Sequence, residues 1–402
     1  MKTLPHDPVI ISSYRSAIGR YGGKLSAYRP DDLLAFMLKQ VVKISEVDEQ
    51  DIDEVIVGCA NQAGEDNRNI ARMAVLLAGL DRSIPAITLN RLCASGLDAI
   101  IDGARRIITG EAQMVIAGGV ESMSRAPYVL GKPESPFRLG PPQVYDSSLG
   151  WRFYNQRMSS VTEPEHNGVT AERLAERYSI SRLRQDRFSL RSHKRAVKSQ
   201  EDGFFAREIV PLAIDKKAGK DILDKDEGPR PDTSIEKLSS LKPVFLEAGT
   251  ITAGNSSSLN DGAAVSIITS HEYAKTRGLI PKARILGFAS AGVDPKIMGF
   301  GPVPATKKLL KYSNLAIDDF SAIEINEAFA AQVLAVTDAL SIDEEKVNDR
   351  GGAIALGHPL GCSGARIVST LINHMHDAHC SLGLVSLCVG VGQGVSMAIE
   401  AL

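Results

Sequence analysis

Four segments rich in small residues carry side chains able to do thiol and acid–base chemistry. In the first, Asn90-Arg91-Leu92-Cys93-Ala94-Ser95-Gly96, a thiol falls between an apolar strand-like run, Ala86–Leu92, and a helix-like run that opens at Leu97. Unpaired N–H groups and the macrodipole at a helix N-terminus favour a thiolate, so Cys93 is a candidate nucleophile with candidate oxyanion donors beside it. The second, Glu324-Ile325-Asn326-Glu327-Ala328-Phe329-Ala330, sets an amide and a carboxylate where a strand turns into a helix. The third, Gly351 to Arg366, surrounds His358 with glycines that admit a substrate and follows it with Pro359, which stiffens the turn. The fourth is Cys388-Val389-Gly390-Val391-Gly392-Gln393-Gly394. Acyl transfer through a thiol needs a nucleophile, a base, an oxyanion site and a proton donor. Cys93, His358, backbone N–H groups or Asn326, and Cys388 can fill those roles. Taken singly, a cysteine in an apolar run is more often a small core residue; the four segments together shift the reading to chemistry.

Short β-branched runs alternate with helix-length patterns, which predicts an α/β sheet. Val9–Ser13, Glu54–Gly58, Ala86–Leu92 and Gln113–Ala117 read as strands, and Pro30–Lys43, Arg68–Leu80 and Gly96–Thr109 as helices. The pattern returns beyond residue 280, with strands at Ala283–Ala289, Ala322–Asn326 and Leu382–Val389 and helices at Thr306–Tyr312, Ala328–Leu340 and Gly364–His376. Val55–Cys59 echoes Ile323–Ile325, Asn90–Ala99 echoes Gly357–Ala365, and Ile116–Gly119 echoes Leu387–Gly390, so the fold reads as duplicated. Between the halves the texture changes. Stretches rich in proline and charge, Gly131–Val144 and Asp215–Lys242, flank helical patterns at Thr170–Tyr178 and Ser181–Glu201, an insertion suited to covering a substrate. Ala263–Thr269 reads as a strand returning to the first half.

Composition narrows the function. Over 402 residues, Lys+Arg 46 against Asp+Glu 48 gives no bulk attraction for nucleic acid or an anionic membrane. No run reaches the roughly 18 apolar residues of a membrane span. Five scattered cysteines without a Cys-x-x-Cys pair argue for a reducing compartment, and Met1–Pro8 shows no signal-like apolar run, so a cytoplasmic protein is expected. Gly390–Gly394 is not a dinucleotide loop, because a strand-like run, Val395–Ala401, follows it instead of a helix. His374, His376, His379 and Cys380 do not share one helix face, so no metal is expected.

The motifs Asn-x-x-Cys-x-Ser-Gly, Asn-Glu-Ala-Phe-Ala, Gly-Gly-Ala-Ile-Ala-Leu-Gly-His-Pro-Leu-Gly-x-Ser-Gly-x-Arg and Cys-x-Gly-x-Gly-x-Gly, in this order along the whole chain, resemble those of the thiolases. The resemblance implies a duplicated five-layered αβαβα core. Residues 1–120 with 249–275 would form one half, 276–402 the other, and 121–248 a loop domain over the coenzyme A site. It implies that Cys93 takes the acyl group, His358 activates it, Cys388 moves the proton at the acetyl methyl carbon, and Asn326 positions a water that forms one oxyanion site with His358. The N–H groups of Cys93 and Gly390 would form the other. It further implies coenzyme A contacts at His166, Arg230, Phe245, Ala253, Ser257, Ala328 and Phe329, an acyl-pocket methionine at Met298, coenzyme A and acetyl-CoA as substrates with no tightly bound cofactor, and a homotetramer.

This chain departs from the family at His166-Asn167-Gly168, where methionine is usual at position 167, and at Ser258, where glycine is usual. An amide in place of a thioether makes the acyl pocket more polar. Within the family, Gly58–Asn69, Gly119–Pro127, Gly150–Phe153 and Cys388–Gly394 look most like 3-oxoadipyl-CoA thiolases. The alternatives are a biosynthetic acetoacetyl-CoA thiolase, a condensing enzyme of the same fold fed by a carrier protein, which Cys388 argues against, and a non-catalytic relative.

Overall fold

The apolar runs form strands buried on both faces, as expected of a sheet covered by helices on each side. The structure, a computed structural model, describes residues 4–133, 135–137, 139–216 and 219–402. Met1–Thr3 of the N-terminal run, Glu134 and Arg138 within Gly131–Val144, and Lys217 and Ala218 within Asp215–Lys242 lie outside the described residues. The first half supplies β1 (Pro8–Arg15), β2 (Glu54–Gly58), β3 (Ala86–Leu89), β4 (Met114–Ser122) and β5 (Asn260–Ser270). The second supplies β6 (Ala283–Gly292), β7 (Ala322–Ile325), β8 (Leu382–Val389) and β9 (Gln393–Ala401).

Strand order is β3-β2-β4-β5-β1 and then β6-β9-β8-β7. The two runs repeat one plan in mirror order. β2 is parallel to β4 as β7 is to β8, β4 is antiparallel to β5 as β8 is to β9, and β5 is antiparallel to β1 as β9 is to β6. Where the first half has β3, the second has a single parallel bridge from Ile323 to Val347. Duplication read from faint sequence echoes is therefore present in the topology. The halves join edge to edge through the antiparallel pairs Val9–Arg284 and Ile10–Ala283 of β1 and β6.

Helices α1 (Pro30–Ser45) and α2 (Ile70–Ala78) cover the outer face of the first half, packing on Val9, Val55, Val57 and Ile116. The inner faces of both halves, including Ile10, Ile56, Ala117, Val385 and Met397, close on α3 (Ser95–Thr109) and α8 (Leu360–Asp377). After α4 (Asn167–Arg177) and α5 (Arg182–Glu201), α6 (Pro302–Ser313) and α7 (Ala330–Leu340) cover the outer face of the second half with Leu309, Val333 and Leu334 against Ile325 and Leu384. The result is a five-layered αβαβα core.

Glycines let the central layer close. A Cβ on Gly119 of β4 would lie 1.9 Å from the Gly361 carbonyl oxygen, and one on Gly96 of α3 would lie 2.5 Å from the same atom. The first turns of α3 and α8 thus meet β4 backbone to backbone. The strand expected to reach Leu92 stops at Leu89. Asn90 Oδ1 accepts the Leu92 N–H at 2.8 Å and Leu92 takes φ +47, which turns the chain into a short 3-10 segment, Leu92–Ala94. In the inserted region, α5 starts where its sequence signal places it, with Ser181 accepting the Arg184 N–H, whereas α4 starts at Asn167, ahead of Thr170. Fully buried Arg15 ties this region to β1: its guanidinium holds Asp226 at 2.6 and 2.9 Å and Glu208 at 2.6 Å.

Candidate active site

Cys93 sits on the 3-10 turn that leads into α3, with the N–H of Gly390 and its own N–H turned toward the sulfur. The turn is braced by Ser95, whose hydroxyl accepts the Arg91 N–H at 2.8 Å and donates to Leu92 O at 2.7 Å. Arg91 in turn pairs with Asp98 of α3 and donates to Gln393 Oε1 at 2.9 Å, linking this turn to the start of β9. Cys388 is the penultimate residue of β8, and Gly390–Gly392 form the hairpin to β9, with Val391 and Gly392 at positive φ. That hairpin delivers the Gly390 N–H to Cys93.

His358 follows Gly357, whose φ of +108 and contact with the Asn260 side chain (2.3 Å for a built Cβ) admit no other residue without strain. Asn260 Oδ1 accepts the His358 N–H at 3.0 Å and also the Ser258 hydroxyl at 2.8 Å, while its amide donates to Gly19 O at 2.9 Å. Serine at position 258 thus reinforces the histidine loop. The imidazole Nδ1 lies 2.6 Å from Ser363 Oγ, and that hydroxyl donates to Pro359 O at 2.9 Å. Ser363 is therefore free to accept only, which assigns the proton to Nδ1 and leaves Nε2 bare as a base. Asn326 Nδ2 lies 3.4 Å from Nε2, and its buried Oδ1 has no hydrogen-bond partner, an acceptor in need of a donor such as water.

Burial sets the protonation states. Loss of solvent, with buried Arg366 adding a smaller push, drives His358 down to about 3, so the imidazole is neutral. Burial pushes the Cys93 thiol up to about 11 against the pull of the Gly390 and Cys93 N–H groups. It raises Cys388 as well, with Cys93 as a second cause. The helix N-terminus thus does not make a resting thiolate, contrary to the sequence expectation. Candidate nucleophile and candidate base meet as thiol and neutral imidazole. Alkylation of Cys93 by iodoacetamide is accordingly expected to accelerate with pH throughout pH 7–10, because the thiolate fraction keeps growing below about 11. A rate plateau below pH 8 would contradict this assignment.

These groups open on one cavity of about 460 Å³. Cys93, His358, Cys388 and Gly390 line it, as do His166, Phe245, Ser257, Ala328, Phe329, Met298 and Asn167. Asn326 stands directly behind His358. The Ser257 N–H donates to Ala328 O at 3.0 Å and Ser256 bridges to Phe329, which makes one continuous wall. Phe245 packs between His166 and Phe329, its ring centroid 6.1 Å from each, in a space that Gly168 keeps open. Two expected contacts lie elsewhere. Ala253 is exposed outside this lining, and Arg230 is exposed beside a second hollow of about 150 Å³ that it shares with His193, Lys194 and Lys198.

Several site residues were not singled out from the sequence. Buried Glu121 accepts the N–H groups of Ala60, Asn61 and Gly361 at 2.9, 3.1 and 2.8 Å, joining the first turn of α8 to the loop after β2; burial pushes it up to about 7. Asn260 and Ser363 fix the histidine. The signal available for Glu121 and Asn260 was a polar residue at the end or start of an apolar strand. His374 and His376 are engaged structurally, His374 accepting from Arg350 Nε at 3.1 Å and His376 lying 2.8 Å from Lys282 O.

A duplicated αβαβα core in which the turns into the two central helices and the end region of β8 bring two thiols and an imidazole to one cavity is the architecture of a thiolase, and the chain belongs to the thiolase family. The family profile "Thiolase, N-terminal domain" matches residues 8–272 and "Thiolase, C-terminal domain" residues 279–401. The chain is 54% identical over 400 residues to a beta-ketoadipyl-CoA thiolase of Pseudomonas aeruginosa, covering 99% of this chain and 100% of the relative. It is 50% identical over 395 residues to a 3-oxoadipyl-CoA/3-oxo-5,6-dehydrosuberyl-CoA thiolase of Escherichia coli, 97% and 98% of the two chains being covered. The crystal structure of the Bacillus anthracis acetyl-CoA acetyltransferase superposes with a TM-score of 0.93 at 43% identity over 100% of both chains. The protein is an acyltransferase of the thiolase type. Among the described residues no helix is long and apolar enough to cross a membrane.

Proposed function

We propose that the protein cleaves 3-oxoadipyl-CoA with coenzyme A to acetyl-CoA and succinyl-CoA through an acyl group carried on Cys93. The observation that carries the reading is the meeting of Cys93, Cys388 and neutral His358 in one cavity, with the Gly390 and Cys93 N–H groups turned toward the sulfur. His358 Nε2 takes the Cys93 proton as sulfur attacks the keto carbon. The developing oxyanion is met by one donor set and the thioester oxygen of the leaving enolate by the other, one set being the Cys93 and Gly390 N–H groups and the other His358 with a water on Asn326. Cys388 gives its proton to the enolate carbon, completing acetyl-CoA. The proton held on His358 then passes to the Cys388 thiolate, so that neutral His358 can accept the thiol proton of coenzyme A as its sulfur attacks the acyl group. The Cys93 sulfur leaves and takes that proton back from His358.

Ser257, Ala328, Phe329, Phe245 and His166 are read as the pantetheine wall and Met298 as part of the acyl pocket. Arg230, outside the cavity lining, is read as meeting the nucleotide end, and Ala253, in the stretch that leads to Ser257, as giving the pantetheine chain a close approach. Residues 121–248 are read as the loop domain over this site, between halves 1–120 with 249–275 and 276–402. A cytoplasmic homotetramer without a tightly bound cofactor completes the reading. The dicarboxylic substrate is supported by the relatives' names and by polar Asn167 on the cavity lining. Thiolysis rates compared for acetoacetyl-CoA, 3-oxoadipyl-CoA and a long-chain 3-oxoacyl-CoA test it. The long chain is expected to be the poorest substrate; a long chain turned over fastest would overturn the reading.

A further inference from the structure

One wall of the cavity is not used by the thiol chemistry or by the coenzyme A contacts. It is formed by the segment from Ser147 to Arg152, and Arg152 is the only arginine or lysine on the lining among the described residues. The acidic groups on the same lining are accounted for. Glu121 is held by three backbone N–H groups, Glu165 pairs with both Nη atoms of Arg173 at 2.5 and 2.7 Å, and Glu163 is exposed. Arg152 forms no ion pair among the described residues, although it is partly buried. Its Nη1 donates to Ser147 O at 3.3 Å, a neutral acceptor. The nearby carboxylate of Asp66 feels its charge, but that carboxylate is buried and accepts the Gly64 N–H at 2.9 Å. A guanidinium carries five donors in a planar fork suited to a carboxylate, and partial burial without an anion is costly.

Arg152 is also held in register with the nucleophile. Ser147 O, which it contacts, accepts from Asn61 Nδ2 at 3.2 Å, and Ser147 Oγ lies 3.0 Å from the same nitrogen. The Asn61 N–H is bound by Glu121, and the preceding Ala60 carbonyl accepts from Asn90 Nδ2 at 2.9 Å, three residues before Cys93. We propose that Arg152 binds the terminal carboxylate of a dicarboxylic 3-oxoacyl chain and so selects such chains over those ending in methyl. This deepens the substrate reading above and rests on it. The carboxylate stays on Arg152 through both half-reactions, first as the far end of the 3-oxoacyl chain and then as the far end of the acyl group on Cys93. A methyl end at the same place would leave the guanidinium without its anion, which penalises the wrong substrate as well as favouring the right one.

The test compares kcat/KM for 3-oxoadipyl-CoA and for 3-oxohexanoyl-CoA, equal in chain length but ending in methyl, in wild type, Arg152→Gln and Arg152→Lys. The ratio of the two values is expected to fall roughly 10- to 100-fold in Arg152→Gln, mainly through KM for the dicarboxylic substrate, with Arg152→Lys intermediate. If Arg152→Gln lowers both values together and leaves the ratio unchanged, Arg152 is structural and the proposal is overturned. A wild type that prefers 3-oxoadipyl-CoA beside an Arg152→Gln variant that keeps this preference overturns the role of Arg152 alone. A wild type without the preference overturns the dicarboxylic reading and the role of Arg152 with it.

Discussion

Replacing Cys93 with alanine is expected to lower kcat for thiolysis at least about 10^4-fold, the scale seen when a covalent nucleophile is removed from a preorganised site. The size follows from the division of labour. His358 is neutral and buried, and without a thiol beside it there is no proton for it to accept and no atom to carry the acyl group. The Gly390 N–H would still polarise a carbonyl, which accounts for a small residual rate but not for turnover. Cys388 cannot substitute. Burial and the neighbouring Cys93 raise its thiol, and it lies on β8 rather than on the turn into α3. Loss of 3-oxoacyl-CoA absorbance in the presence of coenzyme A measures the effect. Activity of the variant within tenfold of wild type would remove Cys93 from the role of nucleophile.

The second large effect is selective. Changing Cys388 to alanine is expected to slow carbon–carbon cleavage and condensation by about 10^2- to 10^4-fold, the usual worth of a positioned proton donor or acceptor. Exchange of the acetyl group between acetyl-CoA and labelled coenzyme A is expected to stay within about tenfold of wild type. Exchange makes and breaks only thioester bonds, for which Cys93, His358 and the oxyanion donors suffice. The enolate carbon alone needs a group such as Cys388, whose thiol remains protonated at neutral pH and so has a proton to give. Equal losses in exchange and in cleavage would show that Cys388 supports the shape of the site rather than the proton transfer.

Much of this was legible before the fold. β2 and β8 fall on the apolar runs Glu54–Gly58 and Leu382–Val389, because strands buried on both faces leave an uninterrupted aliphatic signal. The duplicated topology follows from the echoes around Asn61 and Asn326 and around Gly119 and Gly390. Helix starts in the central layer were harder. α8 begins at Leu360 although Gly361 and Gly364 argue against helix by propensity. Those glycines are there for contact: a Cβ on Gly361 would meet Val120 O at 2.5 Å, and one on Gly364 would meet the Leu97 nitrogen at 2.3 Å. Close packing overrides local preference, and sequence carries no sign of which glycine has a neighbour.

The thiol shows the same limit in electrostatics. A helix N-terminus is visible in the run after Cys93, but burial, which outweighs it, is a property of the closed cavity. Glu121, Asn260 and Ser363 act on residues up to 240 positions away, Glu121 holding the Gly361 N–H, so only the fold reveals their partners. Arg230 and Ala253 mark the opposite case. The motif suggested them, and their separation from the catalytic cavity emerged from the fold.

The central claim is that the acyl group travels on Cys93. Mixing the enzyme with acetyl-CoA alone, quenching in acid and mapping the modified peptide by mass spectrometry tests it directly. One acetyl group is expected on the peptide containing Cys93, formed without Cys388 and discharged on adding coenzyme A before the quench. An acetyl group found on Cys388 or elsewhere, or an unmodified enzyme under conditions of rapid acetyl exchange, would contradict the account.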